Sequence, residues 1–139
     1  TETVLHASCV AHEGRAALIL GASGSGKSAL ALQLIALGAQ LVADDRTVIR
    51  RAGDALLATA PARLAGLIEA REVGILRCPA CDTPRPVALV IDLDSPETDR
   101  LPPWRDTDLL GLRRPLLRKS TLPHFPAAIL TYLSGERAA

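Results

Sequence analysis

The segment from Gly21 to Ser28 constrains this chain more than any other, because it matches the pattern Gly-x-x-x-x-Gly-Lys-Ser without a mismatch. An apolar run at residues 15–20 precedes it, as expected of a buried strand. Residues 28–37 follow it and are rich in helix formers, and Gly38 stands where a helix is expected to end. The order of strand, glycine-rich loop and helix is the one that a phosphate-binding loop (P-loop) requires.

The residue types in this loop define the ligand that it binds. Its glycines let the backbone bend tightly and bring several N–H groups close to one anion, and the helix adds the positive end of its dipole. Lys27 has the reach to contact the β- and γ-phosphates, and the Ser28 hydroxyl is suited to Mg²⁺. The sequence therefore predicts a site for a nucleoside triphosphate or a similar polyphosphate, composed of Gly21, Ala22, Ser23, Gly24, Ser25, Gly26, Lys27 and Ser28.

The composition is that of one neutral domain, residues 1–139, with an aliphatic core. The chain has 139 residues, of which 48% are apolar and only 2% aromatic, and it is long enough for a single core. The net charge of +1 offers no electrostatic basis for binding nucleic acid or an anionic membrane. Neither a stretch of membrane-spanning length nor a signal peptide is visible, so the expected location is the cytoplasm.

The cysteines are expected to be reduced thiols, since their number is odd and ATP chemistry is normally intracellular. Cys78 and Cys81 have the spacing of half a zinc site, but no second Cys/His pair follows at ligand spacing. The pair also does not begin a helix after a strand, as a redox motif does. We interpret residues 78–86 as a proline-rich loop that carries two thiols.

The rest of the chain consists of short strand patterns around one long helix. Residues 94–103 have the composition of a surface loop, and Ala127 to Leu133 is expected to form a short C-terminal helix. This pattern favours an α/β fold with a compact mixed sheet and one main helix after the P-loop, rather than a regular βαβ alternation. Strands are predicted at residues 4–10, 15–20, 39–43, 47–51, 55–59, 67–70, 73–77, 87–93 and 109–117, the last interrupted at Pro115.

Asp44 and Asp45 form the second candidate site, because they end the strand that follows the P-loop helix. Ligands of open α/β sheets lie beyond the carboxyl ends of the strands, so both carboxylates are expected near the bound phosphates. Neighbouring residues of a strand point to opposite faces, so we expect one carboxylate near Mg²⁺ and the other near the acceptor hydroxyl. Asp92 competes for the metal role, since it follows the apolar run 87–91 as a Walker B aspartate does.

Residue types alone assign no catalytic role to three further polar residues. Glu69 and Arg71 interrupt an apolar stretch, and they either line a site or face water on an edge strand. His6 lies inside the first predicted strand, where a lone histidine is usually structural.

Together these residues resemble the catalytic domain of HPr kinase/phosphorylase, a bacterial family that phosphorylates a serine of the phosphocarrier protein HPr and reverses the reaction with phosphate. The likeness runs from about His6 to Leu76. It rests on the glycine-rich loop, on Leu-Val-Ala-Asp-Asp at residues 41–45, and on residues 67–76, which are similar to the family signature. Glu72 stands where the family usually has glycine. The resemblance implies a phosphoenolpyruvate-carboxykinase-like or HPr-kinase-like fold.

The resemblance also implies a role for each candidate residue, with ATP and Mg²⁺ as the ligands. Asp45 is the implied general base for the acceptor serine, and Asp44 is its close partner, with the two roles not fully separable. The resemblance also argues against Asp92 as a metal ligand, because the family draws its acidic residues from the earlier segment at residues 41–45. The implied catalytic residues are Asp45, Asp44, Lys27, His6 and Arg71, and the implied Mg²⁺ ligands are Ser28, Glu69 and Asp44.

Three functions follow from these observations. The first is a Mg-ATP-dependent serine kinase, with or without phosphorylase activity, that acts on an HPr-like phosphocarrier, regulates the phosphotransferase system and forms a homo-oligomer, a hexamer by resemblance. The second is a small-molecule kinase whose lid arginines are Arg113, Arg114 and Arg118. The third is a nucleotide-binding regulatory module without turnover. It is consistent with residues 122–126, which offer no match to the family's late basic residue.

Overall fold

A curled nine-stranded mixed sheet carries most of the chain, and two helices pack against it. The computed structural model describes all residues from 1 to 139. The sheet has the order β1-β5-β6-β9-β3-β2-β4, with β11 also paired to β9 and β10 paired to β11, while β7 and β8 form a separate hairpin. The elements are β1 (Glu2–Leu5), β2 (Ala7–His12), β3 (Arg15–Leu20), α1 (Lys27–Ala36), β4 (Gln40–Ala43), β5 (Thr47–Ala52), β6 (Ala55–Thr59), a 3₁₀ turn (Ala62–Leu64), β7 (Leu67–Ala70), β8 (Gly74–Arg77), β9 (Arg85–Pro96), β10 (Asp106–Leu109), β11 (Leu112–Lys119) and α2 (Phe125–Gly135).

The centre of the sheet is the parallel pair of β3 and β9. Both faces of this pair are covered, which is why the two strands have nearly continuous apolar sequences. Ala17 and Ile19 of β3 belong to the core cluster under the helices, whereas Ala16 and Leu18 belong to the cluster on the other face of the curled sheet. The predicted strands at residues 15–20 and 87–93 are therefore confirmed, although β9 extends to Pro96.

The helix after the P-loop ends as the sequence predicts. Gly38 has a φ of 113°, and its N–H donates to the Ile35 carbonyl while the Ala39 N–H donates to the Leu34 carbonyl. These two bonds form a Schellman cap, and the left-handed residue within it is a glycine because glycine adopts that conformation without strain.

The two helices bury one face each against the core. The buried residues are Leu30, Ala31 and Leu34 of α1 and Ile129, Leu130 and Leu133 of α2. Burial of each leucine or isoleucine stabilises the fold by about 1.5–3 kcal/mol. The predicted C-terminal segment from Ala127 to Leu133 is part of α2, whose 11 residues make it one residue longer than the 10-residue α1. Pro126 lies in the first turn of α2, where its missing N–H costs nothing.

Two predicted strands are divided differently in the structure. The predicted strand at residues 4–10 breaks at His6, because β1 pairs with β5 while β2 pairs with β3 and β4. The predicted break at Pro115 is wrong. The chain instead turns at Leu110 and Gly111, which have φ values of 53° and 84°, and Pro115 lies inside β11 opposite Asp106.

Candidate active site

The P-loop connects β3 to α1 and leaves a set of backbone donors free. The amides of Gly24, Gly26, Lys27 and Ser28 donate to no group of the protein. Gly26 precedes the helix with a φ of 101°, and neither a side-chain cap nor an acidic residue occupies the first turn. The positive end of the helix dipole is therefore unopposed, as an anion-binding site requires.

The first glycine of the loop is favoured by close packing. A Cβ placed on Gly21 would lie 2.3 Å from Ser25 Oγ and 3.2 Å from Leu93 Cβ. Gly24 has a φ of 82°, in the left-handed region that favours glycine. The glycines of the motif thus serve two needs, a tight approach to β9 and a left-handed turn.

Lys27 lies across the loop and is only 5% exposed. Its Nζ donates to the carbonyls of Gly21 at 2.8 Å and Ala22 at 3.1 Å. An ammonium group has three protons, so one stays available to a phosphate oxygen. The two carbonyl bonds hold this charge at the start of the same loop whose later amides are free.

Asp44 is the buried centre of the polar network, with 8% exposure. Its Oδ1 accepts from the Ser28 hydroxyl at 2.6 Å and from the Ser8 hydroxyl at 2.9 Å, and its Oδ2 accepts from the Glu69 N–H at 3.0 Å. The carboxylate therefore joins the P-loop helix, strand β2 and strand β7. Its burial is tolerated because both oxygens have hydrogen-bond partners.

The pairing of Ser28 with Asp44 fits the Mg²⁺ that the resemblance implies. Hydroxyl and carboxylate oxygens are ligands that this ion prefers, and the two atoms are 2.6 Å apart. No three His, Cys, Asp or Glu side chains of the chain converge on one point. Glu69 and Ser28 line one cleft, so Glu69 contributes a second carboxylate near this pair.

Asp45 points away from Asp44 and is half-exposed. Strand β4 ends at Ala43, so the divergence comes from a turn rather than from the strand pleat. The Arg46 N–H donates to the Asp44 carbonyl at 2.7 Å, which closes a γ-turn around Asp45 with a φ of 65°. The Asp45 carboxylate lies 2.6 Å from His6 Nε2, and the backbone N–H of Asp45 donates to Ser8 Oγ at 3.1 Å.

The β7–β8 hairpin forms one wall of the cleft. Ile68 and Ala70 face the core, so the alternation of β7 directs Glu69 to the other side, where it lines the cleft with Arg71. Glu72 has a φ of 68°, a conformation that a glycine would adopt at less cost. The cleft has a volume of about 400 Å³ and is lined by Ser23, Gly24, Gly26, Lys27, Ser28, Ala29, Leu32, Asp45, Glu69, Ala70, Arg71 and Val73.

Several sequence candidates lie elsewhere. Asp92 does not line the cleft, and its Oδ1 accepts from the Asp94 N–H at 2.9 Å. Arg113 pairs with Asp106 at 3.3 Å, and Arg114 donates to the Val87 carbonyl at 2.8 Å. A larger and more open cavity of about 540 Å³, between the β2–β3 turn and residues 84–86, contains none of the predicted site residues.

Sequence patterns did not indicate two residues of the site, Ser8 and Asp94. Ser8 is a polar residue inside an apolar strand, and this contrast is the sequence signal that could have identified it as a site residue. Asp94 lies in what the sequence indicated as a surface loop, but it belongs to β9, and both of its carboxylate oxygens accept from the Ala22 N–H, at 3.0 and 3.1 Å. No local pattern links Asp94 to the P-loop.

We predict that Asp94→Ala weakens nucleotide binding about tenfold, because the start of the P-loop loses its anchor and a charge-assisted hydrogen bond. The measurement is the dissociation constant of a fluorescent ATP analogue. Asp99→Ala is the control, since Asp99 is exposed and its carboxylate accepts no hydrogen bond. Equal affinity in the Asp94 and Asp99 variants would contradict the anchoring role.

The loop that holds Cys78 and Cys81 covers the edge of β4. The Leu41 N–H donates to the Pro79 carbonyl and the Cys81 N–H donates to the Leu41 carbonyl, each at 2.8 Å. All three cysteines are free thiols. Burial raises the pKa of the Cys78 thiol, and the negative charge of Asp44 adds to the rise. Burial also raises the pKa of Cys81, with Arg85 opposing part of the rise, and raises the pKa of the fully buried Cys9.

We predict slow alkylation of the native protein by iodoacetamide at neutral pH. The thiolate is the reactive form, and a raised pKa reduces its fraction at a given pH. Cys78 and Cys81 should react more slowly than free cysteine and accelerate as the pH rises above 9, the ordinary thiol value, while Cys9 should stay unmodified until the protein is denatured in urea. A thiol that reacts at neutral pH faster than free cysteine would contradict this prediction.

The comparisons with known proteins agree with this geometry. The family model described as "HPr Serine kinase C-terminal domain" matches residues 1–100. An HPr kinase/phosphorylase of Clostridium novyi is 34% identical over 146 residues, which cover 99% of this chain and 48% of the relative. HPr kinase/phosphorylase 1 of Oceanobacillus iheyensis is 33% identical over 142 residues, which cover 94% and 45%. The chain therefore spans about half the length of the curated relatives it matches.

A solved structure extends the likeness to nearly the whole chain. The Hpr(Ser) kinase/phosphatase from Coxiella burnetii superposes with a TM-score of 0.80 at 26% identity, over 97% of this chain and 96% of that chain. The predicted mixed α/β fold of the HPr-kinase type is confirmed by this match. None of the helices has the length and apolar character needed to cross a membrane.

Proposed function

The chain belongs to the HPr serine kinase C-terminal domain family, and from that premise we propose that it is a Mg-ATP-dependent kinase for a serine of an HPr-like phosphocarrier protein. One observation carries the proposal: a single cleft is lined by the buried Lys27, by Ser28, whose hydroxyl donates to the buried Asp44 behind it, and by the half-exposed Asp45. These are the parts that phosphoryl transfer needs, because its catalysis depends on positioning and on neutralising charge.

The division between the two aspartates supports a separate role for each. Asp44, together with Ser28 and Glu69, would hold Mg²⁺, which when bound would neutralise charge on the phosphates. Asp45 reaches towards solvent, where an acceptor serine arrives, and we assign it the role of general base. It takes the hydroxyl proton as the serine oxygen attacks the γ-phosphorus and ADP leaves, and it returns that proton in the reverse direction.

His6 and Arg71 complete the proposed catalytic set. The short contact with His6 orients the Asp45 carboxylate, since a half-exposed carboxylate would otherwise rotate freely. Arg71 lines the cleft, and no carboxylate forms an ion pair with it. Its guanidinium is therefore available to a phosphate oxygen, which it suits better than lysine does.

The remaining parts of the proposal concern the context of the reaction. We infer a single kinase domain over residues 1–139, cytoplasmic and assembled as a homo-oligomer, a hexamer by resemblance. Its product would regulate the phosphotransferase system, and phosphate would reverse the reaction. Of the two alternatives, the small-molecule kinase loses support because none of Arg113, Arg114 and Arg118 lines the cleft, and the first two are held by other groups.

The decisive experiment mixes the full chain with labelled ATP, Mg²⁺ and the HPr-type protein of the same organism. The expected result is label on a serine of that protein, absent with Lys27→Ala and Asp45→Asn. Label on metabolites instead would indicate the small-molecule kinase. Tight ATP binding without transfer to any acceptor would indicate the regulatory module. Release of pyrophosphate from the phosphorylated acceptor after phosphate is added would demonstrate the reverse activity.

A further inference from the structure

Ser8 is the residue through which the two aspartates are joined. It lies in β2, is 0% exposed, and is flanked by Ala7 and Cys9, which are equally buried. Its hydroxyl donates to Asp44 Oδ1 at 2.9 Å and accepts from the Asp45 N–H at 3.1 Å. One oxygen atom thus contacts the side chain of the first aspartate and the backbone of the second.

We propose that Ser8 is a positioning residue that sets the general base Asp45 relative to the metal-binding Asp44. The inference rests on the proposed function for the roles of the aspartates, but the link itself is a property of the fold. A hydroxyl has one proton and two lone pairs, so it can donate to a carboxylate and accept from an amide at the same time. An apolar side chain at this position can do neither.

The backbone at Asp45 explains why this link is needed. A non-glycine residue with a φ of 65° at the centre of a γ-turn is uncommon, and it persists only where surrounding contacts hold it. The turn itself supplies one contact, from the Arg46 N–H to the Asp44 carbonyl. Ser8 supplies the contact to the Asp45 amide, and His6 holds the side chain.

The spacing of His6 and Ser8 makes the arrangement a unit. The two residues are two positions apart, one on each side of Ala7, at the point where β1 ends and β2 begins. Both contact Asp45, His6 at the carboxylate and Ser8 at the amide. Removal of the Ser8 hydroxyl would leave the Asp45 amide without an acceptor and Asp44 Oδ1 with one donor fewer. The γ-turn is then free to relax, and the base moves from its place.

Three variants of the full chain test this inference. Ser8→Ala should lower kcat for transfer to the HPr-type protein by about 10- to 100-fold, the loss typical of a misplaced catalytic group. The KM for ATP should change by less than about threefold, since the P-loop amides and Lys27 are untouched. Ser8→Thr keeps the hydroxyl and should recover most of kcat.

Thr47→Val is the matched control. Thr47 is also 0% exposed, and its hydroxyl donates to the Ala7 carbonyl at 2.8 Å, so its loss removes a buried hydrogen bond from the same region without touching either aspartate. It should lower the Tm about as much as Ser8→Ala while keeping kcat near wild type. If the two variants lose kcat equally, or if Ser8→Ala keeps full kcat, the positioning role is wrong.

A second readout is independent of catalysis. Hydrogen exchange of the Asp45 amide, followed by NMR, should be faster in Ser8→Ala than in wild type and unchanged in Thr47→Val. Unchanged exchange at Asp45 in Ser8→Ala would overturn the inference. A wild-type protein that transfers no phosphoryl group would refute the proposed function, whereas faster exchange at Asp45 in the variant would still support the link.

Discussion

Replacement of Lys27 with alanine is expected to lower the rate of phosphoryl transfer about a thousandfold, close to the loss seen when a preorganised charge-stabilising donor is removed. Lys27 is buried, and its ammonium is held by two carbonyls of the loop that carries the free amides. No other lysine is close in sequence to the loop, since Lys119, in β11, is the only other one in the chain. The measurement is transfer of labelled phosphate to the HPr-type protein under saturating Mg-ATP.

Lys119→Ala is the control for this prediction. It removes the same side chain from a residue that does not line the cleft, so transfer should stay near the wild-type rate. Lys27→Arg separates charge from shape, because the larger planar guanidinium cannot replace the compact ammonium between the carbonyls of Gly21 and Ala22. A Lys27→Ala protein that binds ATP and transfers phosphate at more than a tenth of the wild-type rate would refute the assignment.

Asp45→Asn is expected to cause the second largest loss, about 10²- to 10⁴-fold in kcat. The amide has the size of the carboxylate but cannot accept the serine proton. Affinity for the nucleotide should be retained, because no hydrogen bond joins Asp45 to the P-loop amides or to Lys27. Single-turnover transfer and nucleotide binding, measured on the same preparation, distinguish a chemical defect from a binding defect.

Asp54→Asn provides the matched control. Asp54 is exposed in the turn between β5 and β6, and its carboxylate makes no hydrogen bond, so the change should not affect transfer.

A comparison of Asp45→Asn with Asp44→Asn tests the division of roles between the two aspartates. Asp44→Asn should raise the Mg²⁺ concentration needed for transfer. Transfer that survives Asp45→Asn but is lost in Asp44→Asn would mean that the two roles are exchanged.

The glycine-rich loop was predictable because everything that defines it is local. Gly21 to Ser28 are contiguous, and the strand before and the helix after are recognised from patterns of a few residues each. The same holds for Gly38 at the helix end, whose cap joins residues at most five apart. Family resemblance added the prediction of an HPr-kinase type of fold. The family model that matches residues 1–100 and the Coxiella structure confirm this fold.

The strand boundaries depended on partners that no local pattern contains. The break at His6 arises because β1 and β2 pair with different strands, and the turn at Leu110 and Gly111 arises because β11 must return beside β10. Pro115 has the sequence character of a strand breaker, yet it is accommodated within β11. Local propensity therefore misjudged positions at which tertiary pairing determines the conformation.

The candidate site shows the same difference between what local sequence patterns reveal and what tertiary contacts determine. The sequence by itself determined which residues bring chemistry: a P-loop with Lys27 and Ser28, and a pair of aspartates at the end of the next strand. The tertiary structure alone decided that Asp44 turns inward to Ser28 while Asp45 turns outward to His6. It also brought in Ser8 and Asp94, whose hydrogen bonds join residues 36 and 72 positions apart. The physical reason is that a hydrogen bond depends on distance and direction in space, and only the folded sheet sets these for residues so far apart in sequence.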